Sequence, residues 1–234
     1  MSKLIKYNSQ LYNDIIEWDI GTWKSALHLW DIILEENLSG GEALELGARN
    51  GGVTLYLALK GCNVICSDLM GIGEKAKILH RKYNITHLVG YAEIDATNIP
   101  YPDKHFDIVA FKSVLGGIGR ENNKKSQQLA MSEIYRILKS GGLLLFAENL
   151  TGSKLHMLLR RRLIRWGVSW RYISISEMQE FMTPFRFFKY STSGFCTAFA
   201  RTKMFSCALH LLDIIIEPIV GKSNRYVVYG YAKK

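Results

Sequence analysis

The 234-residue sequence is poor in the features that mark special classes of protein. Only four prolines punctuate it, and it has no low-complexity segment or internal repeat, which excludes disordered and solenoid architectures. Its four cysteines, Cys62, Cys66, Cys196 and Cys207, form no CxxC pair and no cluster with histidine. That argues against a structural zinc site or a disulfide framework, and no metal is expected. Long apolar runs are missing too. The most apolar stretch, FSCALHLLDIIIEPIV, contains His210, Asp213, Glu217 and Pro218 and is too short and too charged to span a bilayer. At the N-terminus Asp14, Glu17 and Asp19 precede any long apolar run, so the stretch does not read as a secretory signal. A reducing, cytoplasmic location is the expectation.

Acids are absent from one region. Between Asn149 and Ser176 no Asp or Glu occurs, while Lys154, Arg160, Arg161, Arg162, Arg165 and Arg171 supply six cations. Residues 1–117 hold 11 Lys and Arg against 14 Asp and Glu, whereas residues 118–234 hold 19 against 7. The net charge of +9 therefore comes entirely from the second half. Such asymmetry points to an anionic partner there, against the plainer reading of a solvated basic surface. Leu155, Leu159, Leu163 and Trp166 share a helical stripe, so the basic piece is amphipathic. Arg160, Arg161, Arg165 and Trp170 are expected to bind an acceptor substrate, and the 154–172 segment is expected to contact an anionic membrane surface peripherally.

What is present in quantity is alternation. From residue 42 onward, short apolar runs (EALEL, NVICSD, HLVGYAEID, FDIVAFKSV, LLLFAEN) trade places with helical patterns, the signature of βαβ units around a parallel sheet. The helical run QQLAMSEIYRILKSGG is expected to stop on Lys139 and a glycine pair acting as C-cap. Beyond residue 150 come FRFFKYS, a helical stretch from about 197 to 217, and RYVVYGYAKK, which read as a sheet edge with a helical insertion before its last strand. One α/β domain over 1–234 is expected. It divides into a helical leader (1–40), a ligand-binding core (41–150), and an elaboration with the sheet edge (151–234). The sheet is predicted to be doubly wound and Rossmann-like, mostly parallel and seven-stranded, with an antiparallel last strand.

The stretch ALELGARNGG, residues 43–52, is a strand feeding a glycine turn, which lets backbone N–H groups approach a polar ligand. Asp68 ends the second strand, where a carboxylate can accept both ribose hydroxyls of a nucleoside, and Asp95 closes the third. A pyrophosphate would be repelled by Glu45, two residues before the turn. A zwitterionic sulfonium compound suits that carboxylate better, and Arg49, standing where a middle glycine is usual, could pair with its carboxylate.

The run ELGARNG, Asp68, DATNIPYPDKHFDIVAFKSVL and EIYRILKSGGLLLFAEN resemble, in order and spacing, the motifs of class I S-adenosylmethionine-dependent methyltransferases over residues 40–150. By that resemblance the cofactor is S-adenosylmethionine. Glu45, Gly47 and Gly51 line its methionine moiety, Asp68 takes the ribose hydroxyls, Asp95 and Ala96 contact adenine, and Lys112 and Ser113 lie beneath the methionine end. Two departures stand out: Arg49 in the turn, and VLGGIGR where many relatives carry a histidine. The Trp-rich leader is similar to those of bacterial methyltransferases of small-molecule and surface-glycan biosynthesis, which makes Trp23 a candidate lid residue; its seven-residue spacing from Trp30 equally suits core packing.

Methyl transfer at oxygen to a small-molecule or glycan-like acceptor, anionic or lipid-linked, is the expected activity, with Glu148 at the end of the fifth strand as general base. The competing expectation for Glu148 is a helix cap. A non-catalytic basic module binding RNA or membrane on the same fold is the alternative from another class, and a dinucleotide oxidoreductase is disfavoured by Glu45. No Asn-Pro-Pro-aromatic run follows the fourth strand, so methylation of nucleic-acid bases is not expected.

Overall fold

The computed structural model describes residues 5–37, 40–163, 169–200 and 202–234. Seven strands form one sheet in the order β3-β2-β1-β4-β5-β7-β6: β1 (Gly41–Leu46), β2 (Cys62–Asp68), β3 (Val89–Glu93), β4 (Phe106–Lys112), β5 (Leu138–Asn149), β6 (Phe187–Ser193) and β7 (Val227–Lys233). All run parallel except β7, which pairs antiparallel with both β5 and β6. The expected doubly wound sheet is thus the one observed. Its order reverses between β1 and β4, and this switch point opens a crevice at the strands' C-terminal ends.

Period-two alternation sends each strand's side chains to two separate cores. Ala43, Val64, Ile108, Leu143, Leu145 and Ala147 face one layer, made by α1 (Ser9–Ile16), α2 (Ile20–Asn37), α3 (Gly52–Leu59) and α4 (Glu74–Lys82). Leu44, Leu46, Val109, Phe111, Leu144 and Phe146 face the other, where α5 (Leu115–Ile118), α6 (Lys124–Ile137) and α8 (Ile175–Phe181) pack. Between β5 and α8 lies α7 (Lys154–Leu163), and α9 (Lys203–Ile216) is the insertion between β6 and β7. α8 opens with a complete capping box, Ser174 against Glu177.

The leader is part of the core. Trp30 is fully buried and donates its indole N–H to the Gly230 carbonyl of β7 at 3.0 Å, so α2 lies across the sheet. One helix end differs from expectation. α6 stops at Ile137, and Leu138 is already extended; the Gly141–Gly142 pair belongs to the start of β5, where the pairing with β4 jumps from Phe106–Leu138 to Ile108–Leu143. The glycines serve that irregularity, Gly141 at φ +80°, rather than a C-cap. Among the described residues no helix is long and apolar enough to cross a membrane, and no group of His, Cys, Asp or Glu is placed to hold a metal ion.

Candidate functional site

A cleft of about 1380 Å³ lies at the switch point. It is floored by the ends of β1, β2 and β4 and walled by the α1–α2 junction on one side and by α9 on another. Glu45, Gly47, Arg49, Asp68, Asp95 and Ala96, drawn from three strand ends, all line it. So do Trp23, Lys112 and Ser113. Gly51 lies just behind the turn instead. Its φ of +77° starts α3, and a Cβ there would come within 2.5 Å of the buried His80 ring, whose Nε2 donates to the Gly51 carbonyl.

The carboxylates are held by the backbone. Glu45 Oε2 accepts from the Thr54 N–H at 2.7 Å and the Thr54 hydroxyl at 2.6 Å, tying β1 to the first turn of α3. Burial pushes this carboxyl up to about 7 against those two hydrogen bonds and the nearby Lys112 ammonium. Asp68 Oδ2 accepts the Arg49 N–H at 3.0 Å, which fixes the left-handed turn at Arg49, φ +52°. Asp95 lies two residues beyond β3, exposed, with Oδ1 closing a local turn onto the N–H and hydroxyl of Thr97.

Arg49 does not point its guanidinium into the turn. It lies over the Trp18 ring, 4.9 Å from the centroid, with Nε 3.7 Å from Glu17. Lys112 sits under the same ring: Nζ is 3.3 Å from the Trp18 centroid and donates to the Ile16 carbonyl at 2.7 Å. Burial draws its pKa down to about 7, opposed by Glu17 and Glu45. Trp18, stacked edge-on with the buried Trp23 at 6.1 Å, is thus clamped between two cations from the core.

Glu148, the expected base, does not line the cleft and is fully buried. Its Oε2 accepts from the N–H groups of Val114 and Leu115, both at 2.7 Å, and Oε1 from the Asn149 N–H at 2.8 Å. The carboxylate thus satisfies the orphan donors of α5, the arrangement of a helix cap, and burial raises it to about 7 against these hydrogen bonds. The VLGGIGR departure also finds its reason here. Trp170 lies flat on Gly116 and Gly117, so close that a Cβ at Gly116 would fall 1.6 Å from its indole nitrogen. Trp170 lines the cleft from this position. The side chains of Arg160 and Arg161, and the whole of Arg165, lie outside the described residues. Arg171, one of the six cations of this segment, is tied to Gln127 and Glu177.

The residues that the sequence did not single out come from the leader and the insertion. Asp19 and Tyr226 line the cleft, and the Tyr226 hydroxyl donates to Asp19 Oδ2. The Asp19 carboxyl is largely buried, and burial raises it to about 6 against hydrogen bonds from Tyr226 and from the side chain and backbone of Thr22. From α9, Ser206, Cys207 and His210 complete the wall. Among the described residues eight non-glycines have positive φ, and four of them, Glu17, Asp19, Arg49 and Ser113, line this one cleft. Strained backbone of that kind concentrates where a site dictates it and leaves no compositional trace in the sequence.

A doubly wound sheet, a glycine turn after β1 and acids at successive strand ends define an α/β domain built to hold a nucleoside cofactor at its switch point. Residues 44–146 match the methyltransferase domain family, in keeping with the resemblance to class I S-adenosylmethionine-dependent methyltransferases. It is similar to the glycine/sarcosine/dimethylglycine N-methyltransferase of Actinopolyspora halophila, 30% identical over 107 residues, which are 45% of this chain and 18% of that one. It is also similar to the ubiquinone/menaquinone biosynthesis C-methyltransferase of Azotobacter vinelandii, 26% identical over 146 residues, covering 59% and 53%. In fold it resembles the phosphoethanolamine N-methyltransferase 2 of Haemonchus contortus, solved with S-adenosyl-L-methionine: TM-score 0.62, 16% identity, 96% of this chain and 56% of that one. The chain spans 18 to 53% of the length of the curated relatives it matches.

The residues present fit the cofactor of this family. The lining carries Glu17, Asp19, Glu45, Asp68 and Asp95 against Arg49, Lys112 and Arg120, an excess of negative charge that suits a cationic sulfonium and an ammonium. At Gly47, φ +64°, a side chain would collide with Val114, so the turn stays flat beside the cleft.

Proposed function

We propose that the chain transfers the methyl group of S-adenosylmethionine to a small-molecule or glycan-like acceptor, anionic or lipid-linked, at an oxygen. The observation that carries this reading is the single cleft shared by Glu45, Asp68 and Asp95 beside the glycine turn. In it Asp68 takes the ribose hydroxyls, Asp95 and Ala96 flank the adenine, and Glu45, Gly47, Lys112 and Ser113 surround the methionine end, with Trp18 and Trp23 closing over it. Gly51 shapes the turn from behind, and Arg49 acts through its backbone N–H on Asp68 and its guanidinium on Trp18. The chain's relatives include N- and C-methyltransferases and also the fatty-acid O-methyltransferase of Mycolicibacterium smegmatis, 25% identical over 114 residues, so they do not choose the acceptor atom and oxygen is assigned from the site.

S-adenosylmethionine supplies a methyl group already activated on sulfur. The chain's residues have three tasks: orienting the acceptor, excluding water and, for a hydroxyl, removing its proton. Asp19 is the carboxylate we assign to that proton, in place of Glu148. It faces the cleft and is raised to about 6 by burial, close enough to neutrality to accept a proton and release it. Trp170, with Arg160, Arg161 and Arg165 of the basic stretch, is assigned to binding the acceptor, an anionic group or one carried on lipid. Isothermal titration of the chain with S-adenosylmethionine and with S-adenosylhomocysteine tests the reading. Saturable heat from both is expected, and no heat from either overturns it.

A further inference from the structure

The insertion helix α9 is built inside out. Its polar residues Ser206, His210, Asp213 and Glu217 recur at steps of four, three and four, so they share one stripe, and that stripe faces the protein. Asp213 is fully buried and accepts from the N–H groups of Cys196 and Thr197 and from the Thr197 hydroxyl. Glu217 accepts from the Gly194 N–H. The His210 ring lies against Gly21, where a Cβ would come within 2.6 Å of it. The opposite face carries Phe205, Leu211, Leu212 and Ile215, continued by Ile219 past the helix end; Leu211 is 65% exposed, Ile215 67% and Ile219 84%. A helix on a water-bathed surface has the reverse arrangement, and an apolar face of this kind marks an interaction site.

We propose that this face is a membrane-docking surface that lays the mouth of the cleft on an anionic lipid bilayer. Charge selects lipid over a protein partner. Both acids of α9 are turned inward and consumed, while Lys203 begins the helix and the exposed Lys222 follows it. α7, from the acid-free part of the sequence, joins the same corner: His156 stacks on Phe199 at 4.8 Å and donates to the Phe195 carbonyl, in the turn that Asp213 holds from α9. Leu155 and Leu158 of α7 are also exposed there. An apolar face whose neighbouring acids, Asp213 and Glu217, are both engaged, with the exposed Lys222 after it, has the composition of an in-plane interfacial helix. Continuity gives the function. Ser206, Cys207 and His210 line the cleft from the same α9 whose other face would meet lipid, so an acceptor dissolved in the bilayer reaches the cleft along this helix. That last step rests on the methyl-transfer reading; the docking surface does not.

The test is sedimentation of the full chain with vesicles of phosphatidylcholine and phosphatidylglycerol, and with phosphatidylcholine alone, beside the double variant Leu211→Glu, Ile215→Glu. Both positions are exposed, so the variant should match the wild type in melting temperature and in S-adenosylmethionine titration. The wild type should pellet with the anionic vesicles and less with the neutral ones, and the variant's binding should fall on the order of tenfold. Wild type left in the supernatant, or a variant that pellets equally, overturns the proposal. So does light scattering that shows a wild-type dimer which the variant dissociates, because the face would then belong to a second copy. A chain that binds vesicles but gives no heat with S-adenosylmethionine refutes the methyl-transfer reading and leaves the surface standing; the converse result removes only the surface.

Discussion

Gly116→Ala is the substitution for which the structure makes the most demanding forecast. A Cβ at this position would lie 1.6, 2.2 and 2.4 Å from Nε1, Cδ1 and Cε2 of Trp170, distances at which no side-chain adjustment of a few tenths of an ångström suffices. The indole must leave its seat on α5, or α5 must move off the caps that Glu148 provides. Overpacking of this kind costs about 1–3 kcal/mol, and the rigid flat contact puts the expectation at about 3. For a chain of this length each kcal/mol lowers the melting temperature by roughly 2–4 °C, so a fall of roughly 6–12 °C is expected. In a Trp170→Ala background the clash is gone, and the same substitution should cost under about 1 kcal/mol. Denaturant unfolding of the four chains gives the coupling directly, and it should exceed about 2 kcal/mol. An equal loss from Gly116→Ala in both backgrounds would refute the claim that VLGGIGR exists to seat Trp170.

Three further outcomes can be measured. Asp68→Ala should weaken S-adenosylmethionine binding by about 3 kcal/mol, on the order of a hundredfold in Kd, through loss of charge-assisted hydrogen bonds; titration calorimetry showing less than a tenfold loss would remove Asp68 from the cofactor site. Arg49→Gly relieves a left-handed arginine, exchanging about 1 kcal/mol of strain for a cation–π contact of similar size, and should leave cofactor affinity within about threefold; a tenfold loss would place the guanidinium on the cofactor instead of on Trp18. Asp19→Asn removes a carboxyl that burial raises from 3.8 to about 6. The folded chain holds that proton more tightly than the unfolded one, so its stabilising contribution is complete at pH values below 3.8 and is lost as pH rises to about 6. Relative to wild type, the variant should gain up to about 3 kcal/mol across that window in unfolding free energy. It should also lose the acidic limb of the pH–rate profile; retention of that limb would clear Asp19 of proton transfer.

The sequence by itself determined the sheet and the floor of the site. Strand alternation and helical periodicity are local, and they fixed which face of β1, β2, β4 and β5 each residue takes; the switch point at the strand ends then had to collect Glu45, Asp68 and Asp95. Only the tertiary structure decided what stands over that floor. Glu148 lies at a strand end like the others, yet one backbone turn, at Ser113 with φ +58°, puts α5 over it and makes it a cap. Asp19 meets Tyr226 across 207 positions, and Trp18 meets Arg49 and Lys112 from separate strand ends; such pairings have no period or motif from which to be read. α9 shows the same limit from the other side. Its apolar content was legible as a helix, but which stripe faces inward was set by the N–H groups of Gly194, Cys196 and Thr197, which demanded carboxylates and so turned the hydrocarbon outward.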